Sequence, residues 1–426
     1  MIFLSTAACD AASLKDCVSL ALQNSQLITA YENQVRAHVE AYRKSLSVLL
    51  PQTQISVGGD QVWFGRASGL AHRHGNEGHL GATASLALQK LISLAPRLNR
   101  MEIEKSRLLQ TIARQTLKKD VTQEYDKLYV LLKKKREYVQ MQSYFSAHVQ
   151  DIEKLQAHGV DVKLDLGRSH VQQKSLFISL NNVTAAIHNL LVSLGARMNA
   201  ELKESDFYSM TEPDLSAIKT KAPILDETST EEDDAGSEIE RIEADYEKKI
   251  PKLVQTRLAA EDVKLAGEAY RQSKFYYIPT LDFAADRNIH TTDPSTDAYK
   301  LALSVSLNPF EFPQKEFERR QLKYEYEHQK HLFEDNQIKL KVQISQLITD
   351  IENVQTTYKN ASENLKTAAQ NIETAKTYYQ QGKIKETDLL NVFSEYLTAQ
   401  EQAYQSLEDY LMKKADLDFI LEGTET

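Results

Sequence analysis

Apolar positions between Leu340 and Tyr379 recur in alternating steps of four and three: Leu340, Ile344, Leu347, Ile351, Val354, Tyr358, Ala361, Leu365, Ala368, Ile372, Ala375 and Tyr379. A sustained 3.5-residue period predicts a helix that supercoils against a neighbour. No Pro or Gly follows Pro313 until Gly382, so the segment reads as one rod on the order of 100 Å long at about 1.5 Å per residue. The first half repeats the theme. Arg97 to Ala157 lacks Pro and Gly, and Tyr138, Met141, Phe145, His148, Ile152 and Leu155 step by three and four. Each rod ends at a Gly, Gly159 or Gly382, and an Asp-Leu pair follows six residues later as Asp165-Leu166 or Asp388-Leu389. Shorter helices then return over about 164–194 and 387–421. The second carries Leu390, Phe393, Leu397, Tyr404, Leu407 and Leu411 on one stripe. Gly195 and Gly423 stand near the expected ends of these returns, where Gly favours termination.

Ahead of each rod the period changes from helix to strand. Leu14–Leu49 and Leu253–Phe275 read as helices, stopped by Leu50-Pro51 and Ile278-Pro279. Four strands are predicted, over 53–64, 78–88, 280–289 and 298–307. In the last, Tyr299, Leu301, Leu303, Val305 and Leu307 alternate with Ala298, Lys300, Ala302, Ser304 and Ser306. One apolar and one small-polar face suits a half-buried sheet or a membrane barrel equally. Aromatics at the strand ends (Trp63-Phe64, Phe275-Tyr276-Tyr277, Phe310, Phe312) fit an interfacial girdle or ordinary core beside turns.

The chain therefore divides into a segment 1–12, a first repeat over 13–199, a connector over 200–250 and a second repeat over 251–423. The connector is acidic: Asp226 to Glu247 holds eleven Asp and Glu against the single Arg241, which predicts a solvated link. The opening Met1–Ala12 fits the tail of an export signal. A lipoprotein box ending at Cys9 is the alternative, with Thr6 where Leu is usual.

Composition narrows the function. The 426 residues carry a net charge of −9, which argues against a nucleic-acid binder with its basic patch. Charged residues make up 26%, with 14 Gly and 9 Pro, a profile of long helices. No uninterrupted run of eighteen or more apolar residues occurs, so no membrane-spanning helix is expected and a membrane role would rest on strands. Cys9 and Cys17 make neither a disulfide framework nor a metal motif. His72, His74, His79 and Glu77 crowd a predicted loop; imidazole and carboxylate suit a metal, and a plain polar loop is the simpler account. Lys133-Lys134-Lys135-Arg136 reads as a solvated helix face. No phosphate loop or nucleophile elbow is present, and neither catalysis nor a cofactor is expected.

The order helix, Pro, two strands, rod, Gly turn and return, twice over, resembles the TolC outer-membrane efflux family. The resemblance runs from about Ser13 to Gly423. It is carried by Ser13-Leu14-Lys15-Asp16-Cys17-Val18-Ser19-Leu20-Ala21-Leu22 with Asn24, the two Pro closures and the two Gly-x5-Asp-Leu turns. It implies a mainly α fold contributing four strands to a trimeric 12-stranded barrel in outer-membrane lipid, joined to a long α-helical barrel. It also implies a homotrimer working with a periplasmic adaptor (membrane fusion) protein and an inner-membrane pump of RND, ABC or MFS type. In such proteins the helical turns form gate and docking site. Asp388, Asp165 and Tyr379 are then candidate gate residues, and Gly159, Gly382, Leu166 and Leu389 mark adaptor-docking turns. Asp at a helix start is equally a capping residue. Some relatives place a basic residue and a second acid where this chain has Ile384 and Asn391. A passive exit duct for efflux or type I secretion is the expected function; a coiled-coil scaffold and a periplasmic adaptor are the alternatives.

Overall fold

The computed structural model describes residues 13–47, 50, 52–63, 74–87, 95–208, 210, 248–277, 280–290, 298–306 and 311–422. The expected signal segment, the metal-ligand candidate His72, the acidic centre of the connector and Gly423 lie outside them.

Helices α1 (Leu14–Asn24) and α2 (Gln26–Ser47) precede strands β1 (Gln52–Trp63) and β2 (His74–Ala87). The first rod, α3 (Ala95–Ala157), returns as α4 (Lys163–Met198). Helix α5 (Val254–Ser273), strands β3 (Thr280–His290) and β4 (Ala298–Ser306), the second rod α6 (Phe312–Gln380) and its return α7 (Glu386–Leu421) complete the second repeat. The chain forms two compact units, one of residues 1–29, 111–254 and 337–426, the other of 30–110 and 255–336.

Three boundaries depart from the sequence expectation. The first helix is two, broken at Ser25, whose extended backbone (φ −67°, ψ 121°) caps α1 while its hydroxyl accepts from the Ile28 amide at 3.4 Å. Gly195 does not terminate α4 but lies inside it, and the helix ends on Asn199 in the left-handed region (φ 51°). There the Ala200 amide donates to the Gly195 carbonyl at 3.0 Å and the Asn199 amide to Ala196 at 3.4 Å, the double closure that ends many helices. A Cβ at Gly195 would stand 2.6 Å from the Ala200 carbonyl oxygen, so this Gly serves close approach rather than φ. Lastly, β2 begins at His74, which puts His74, Glu77 and His79 on a strand instead of in a loop.

The larger unit is a bundle of helices. Residues Ile250 and Leu253, from the end of the connector, pack on Leu340, Ile344, Leu347 and Ile348 of α6 and Ile420 of α7. Val130 of α3 meets Ile351 of α6 and Tyr404, Leu407, Tyr410 and Leu411 of α7. Each such side chain contributes about 1.5–3 kcal/mol on burial, which is what holds helices whose seams the sequence left unpartnered. Charges fix the antiparallel register of α3 and α7. Lys119, Lys127 and Lys134 descend α3 as Asp416, Glu408 and Glu401 ascend α7, with the first two pairs at 3.3 and 2.8 Å. As half-exposed, solvent-screened pairs each adds only about 1 kcal/mol. The first end of the connector is pinned as well: Phe207 is buried edge-on to Tyr125 at 6.2 Å, and Glu204 pairs with Lys135 at 2.7 Å.

Helix α4 departs from the expectation that no membrane-length apolar helix is present. It is long and apolar enough, by composition alone, to cross a membrane. The apolarity comes from two stripes. Leu176, Val183, Ile187, Leu191 and Leu194 are buried, while Leu164, Val171, Ile178 and Val192 face outward at multiples of seven residues.

In the other unit β1–β4 make one antiparallel sheet in chain order. The register aligns like faces, with Arg287 interrupting the apolar side. Leu86, Phe283 and Leu303 form one cross-strand row, and Thr83, Asp286 and Lys300 the adjacent kind of row. Ile55, Val57, Phe283, Leu301, Leu303 and Val305 stand exposed on the apolar side. Strands β1 and β4 leave open edges. Elsewhere in this unit Glu268 of α5 takes Arg97 of α3 at 2.9 Å and Arg271 at 3.4 Å. Gly267 lets the Tyr326 ring come within 3.1 Å of where its Cβ would be.

Candidate functional site at the helical turns

The two Gly turns are the same structure. Gly159 and Gly382 take φ of +87° and +68°, a region L side chains enter at a cost of about 1–2 kcal/mol. In the first turn the Gly159 amide donates to Gln156 at 3.0 Å and Val160 to Leu155 at 3.2 Å; in the second, Gly382 donates to Tyr379 and Lys383 to Tyr378, both at 2.9 Å. Both are the double closure seen at Asn199, with Gly now at the left-handed position.

The helices that follow start differently. At α7 the exposed Asp388 accepts from the Lys385 amide at 3.2 Å. The lysine side chain has no acceptor to return, so the box is half-formed. Asp165 of α4 is half-buried and loosely paired with Arg168 at 3.8 Å. The structure thus gives Asp388 a capping role, and brings the Asp165 charge near Tyr379 instead. Leu389 is fully buried and anchors the turn from within. Leu166 is half-buried.

The chemistry of this end lies on a residue the sequence pattern passed over. Glu386, the first residue of α7, is buried at 3% exposure. Its carboxylate accepts from the Ser169 hydroxyl of α4 at 2.6 Å and lies 2.9 and 3.0 Å from Nε2 of His148 on α3. Tyr379 of α6 adds a hydrogen bond. One carboxylate therefore ties all four helices of the two hairpins. Burial alone would raise its pKa, but the donors His148 and Ser169, the His148 charge and Tyr379 hold it below the ordinary value. Burial first, then Glu386, raises the Tyr379 phenol, which stays protonated as a donor. Around the node Tyr144 stacks on His148 at 5.9 Å and on Phe393 at 5.0 Å, and Phe145 meets Phe393 at 4.4 Å. Lys376 lies 4.4 Å over the Tyr144 ring; burial and then Glu386 push that phenol up to about 12.

A second polar layer lies further along the bundle. Glu137 of α3 accepts from Gln400 and Tyr404 of α7, and the fully buried Gln400 keeps an unpartnered Oε1. Among the described residues no cluster of His, Cys, Asp and Glu could hold a metal ion. The side chains of His74, Glu77 and His79 fall outside those described.

Duplicated strand pairs, paired rods and twin Gly closures are the elements of a TolC-like channel fold. The chain superposes over 96% of its length on solved outer-membrane channels. CusC, reported for its transmembrane channel formation, is 12% identical with a TM-score of 0.80, covering 96% of this chain and 92% of that one. The Campylobacter jejuni CmeC outer membrane channel is 14% identical at 0.79, covering 96% and 86%. The open state of the Neisseria gonorrhoeae MtrE outer membrane channel is 14% identical at 0.75, covering 96% and 89%. Residues 274–408 match the family described as the TP096X C-terminal domain. No curated protein matches the chain by sequence.

Proposed function

We propose that this chain is the protomer of an outer-membrane exit duct, passing cargo from a tripartite efflux or type I secretion system across the periplasm and outer membrane. One observation carries the reading: an open four-stranded sheet with an exposed apolar face, in a chain that superposes over 96% of its length on an outer-membrane channel. Such a sheet cannot span lipid with its edge strands unpaired. Further copies of the chain would satisfy the edges, and a homotrimer would close a 12-stranded barrel. The outward stripe of α4, with Phe317, Tyr324 and Ile338 exposed on α6, gives those copies helical surface to cover.

In this reading the barrel sits in the outer membrane and the long hairpins reach through the periplasm. The turns at Gly159 and Gly382 meet a periplasmic adaptor, which links the duct to a pump of RND, ABC or MFS type. Asp388 is exposed beside its turn, where three copies would ring the mouth and attract cations. Asp165 and Tyr379 act behind it, through Glu386. Transport would be passive, driven by the partners.

Membrane fractionation and gel mobility test the duct directly. The expected result is outer-membrane protein that runs as a heat-dissociable trimer. A mature chain that stays monomeric in buffer without detergent would leave the coiled-coil scaffold as the better account. For the gate, Asp388→Asn keeps a cap acceptor while removing charge, and should reduce current block by divalent cations; an unchanged block would remove Asp388 from the gate.

A further inference from the structure

The joint around Glu386 contains the one side-chain type that changes charge between about pH 5 and 8 without help from its surroundings. His148 is buried, presents Nε2 to both Glu386 oxygens, and is enclosed by Tyr144 and Tyr379 rings at 5.9 and 5.2 Å. Neutral imidazole can donate one hydrogen bond here; imidazolium donates the same bond with a full charge behind it, and charge-assisted bonds are roughly twice as strong. The charged and titratable groups around this joint come from every packed helix. Asp151 and Tyr144 share α3, and Ser169 with Asp165 belong to α4. From α6 come Tyr379, Lys376 and Glu373, and from α7 Glu386. Glu386 is the carboxylate in direct contact with the ring nitrogen. Lys376 is turned to the Tyr144 and Phe393 rings.

We infer that His148 is a proton-operated fastener of the helical end: gaining a proton tightens its hold on Glu386 and binds the two hairpins together, and losing it loosens them. Position gives the joint its leverage. Glu386 lies four residues beyond Gly382, and Tyr379 three before it, so a change in this bond acts on both sides of the second turn. Ser169 does the same for the first hairpin, in the second turn of α4. The inference rests on reading this end as the duct's mouth, in which case the mouth is held more firmly shut in mild acid than in mild alkali.

Two measurements on the full-length purified protein test it. Single-channel conductance in planar lipid bilayers should be severalfold lower at about pH 5.5 than at about pH 8. His148→Gln, which keeps an amide donor and never charges, should bring that ratio close to one. Backbone hydrogen exchange at Glu386–Leu389, corrected for the intrinsic pH dependence of exchange, should show severalfold greater protection at the lower pH, again only in the wild type. A His148→Gln protein with the wild-type pH response in either measurement overturns the fastener, as does wild-type protection that is the same at both pH values. Absence of any channel current from the wild type would defeat the duct reading alone, because exchange at Glu386–Leu389 reports on the joint without a channel.

Discussion

The Ser169 hydroxyl and the Glu386 carboxylate meet at 2.6 Å although 217 residues separate them in sequence. Each sits within the opening turns of a return helix, so this bond joins the equivalent corners of the two repeats. With His148 it forms a buried, fully donated carboxylate of the kind whose removal in part costs more than its removal entire.

Replacing His148 by Leu should therefore lower stability by about 3–5 kcal/mol, because it strips a donor from a buried charge. The double variant His148→Leu with Glu386→Leu should recover much of that loss. Thermal melting of the detergent-solubilised protein, followed by helical circular dichroism, gives both values. Additive losses in the double variant would show that the two residues do not act as a unit.

Acid should weaken the same node. Glu386 has its carboxyl held below the ordinary value in the folded protein, so its contribution is present above the unfolded carboxylate pKa and disappears as pH falls through the lowered folded value. Melting temperature should drop below about pH 4.5, and Glu386→Gln should flatten that limb. An unaltered acid limb in Glu386→Gln would assign it to other carboxylates.

Asp126 predicts the opposite slope. Burial lifts its carboxyl to about 7, against an opposing pull from Lys414. A raised folded pKa means that the folded protein holds a proton the unfolded chain releases, so stability falls as pH rises from about 4 to 7. Asp126→Asn should remove that decline, as read from the melting temperature across the range.

The glycines separate two physical causes. Nothing lies within 4 Å of a Cβ built at Gly159 or Gly382, so Ala at either should cost only the backbone term, about 1–2 kcal/mol. At Gly195 the backbone is ordinary helix, yet a Cβ would strike the Ala200 carbonyl at 2.6 Å. Gly195→Ala should melt at the lowest temperature of the three.

These cases also show which features were legible in the sequence. Period alone found the rods, because an unbroken apolar seam such as Leu340 to Ile351 must be covered. Alternation found the strands to within a few residues. The two turns were readable because a left-handed closure strongly favours Gly. The break at Ser25 was not readable, since no Gly or Pro marks it and the polar–apolar rhythm continues across it. Glu386 was missed for a stronger reason. A Glu at the start of a helix looks like a solvated charge favoured by the helix dipole, and nothing near it in sequence names Ser169 or His148 as its partners.

The sheet faces offer a sharper contrast. Leu303→Arg places charge on the apolar side, whereas Ser304→Arg places it on the polar side one residue later. At mid-membrane depth the first should cost about 2–4 kcal/mol. Urea titration of lipid-reconstituted protein should show that penalty for Leu303→Arg and little for Ser304→Arg; equal penalties would mean that neither face meets lipid.

The strand order β1-β2-β3-β4 carries an arithmetic of its own. Four alternating directions leave the first and last strands pointing opposite ways. When β4 of one copy meets β1 of the next, the seam is therefore antiparallel like every internal pair. The contact is head-to-tail, and repeating it produces a ring instead of a symmetric pair. An odd number of strands per copy would force a parallel seam at every junction. With four, the number of subunits is released from the hydrogen-bond pattern and left to the curvature of the sheet and the fit between helices.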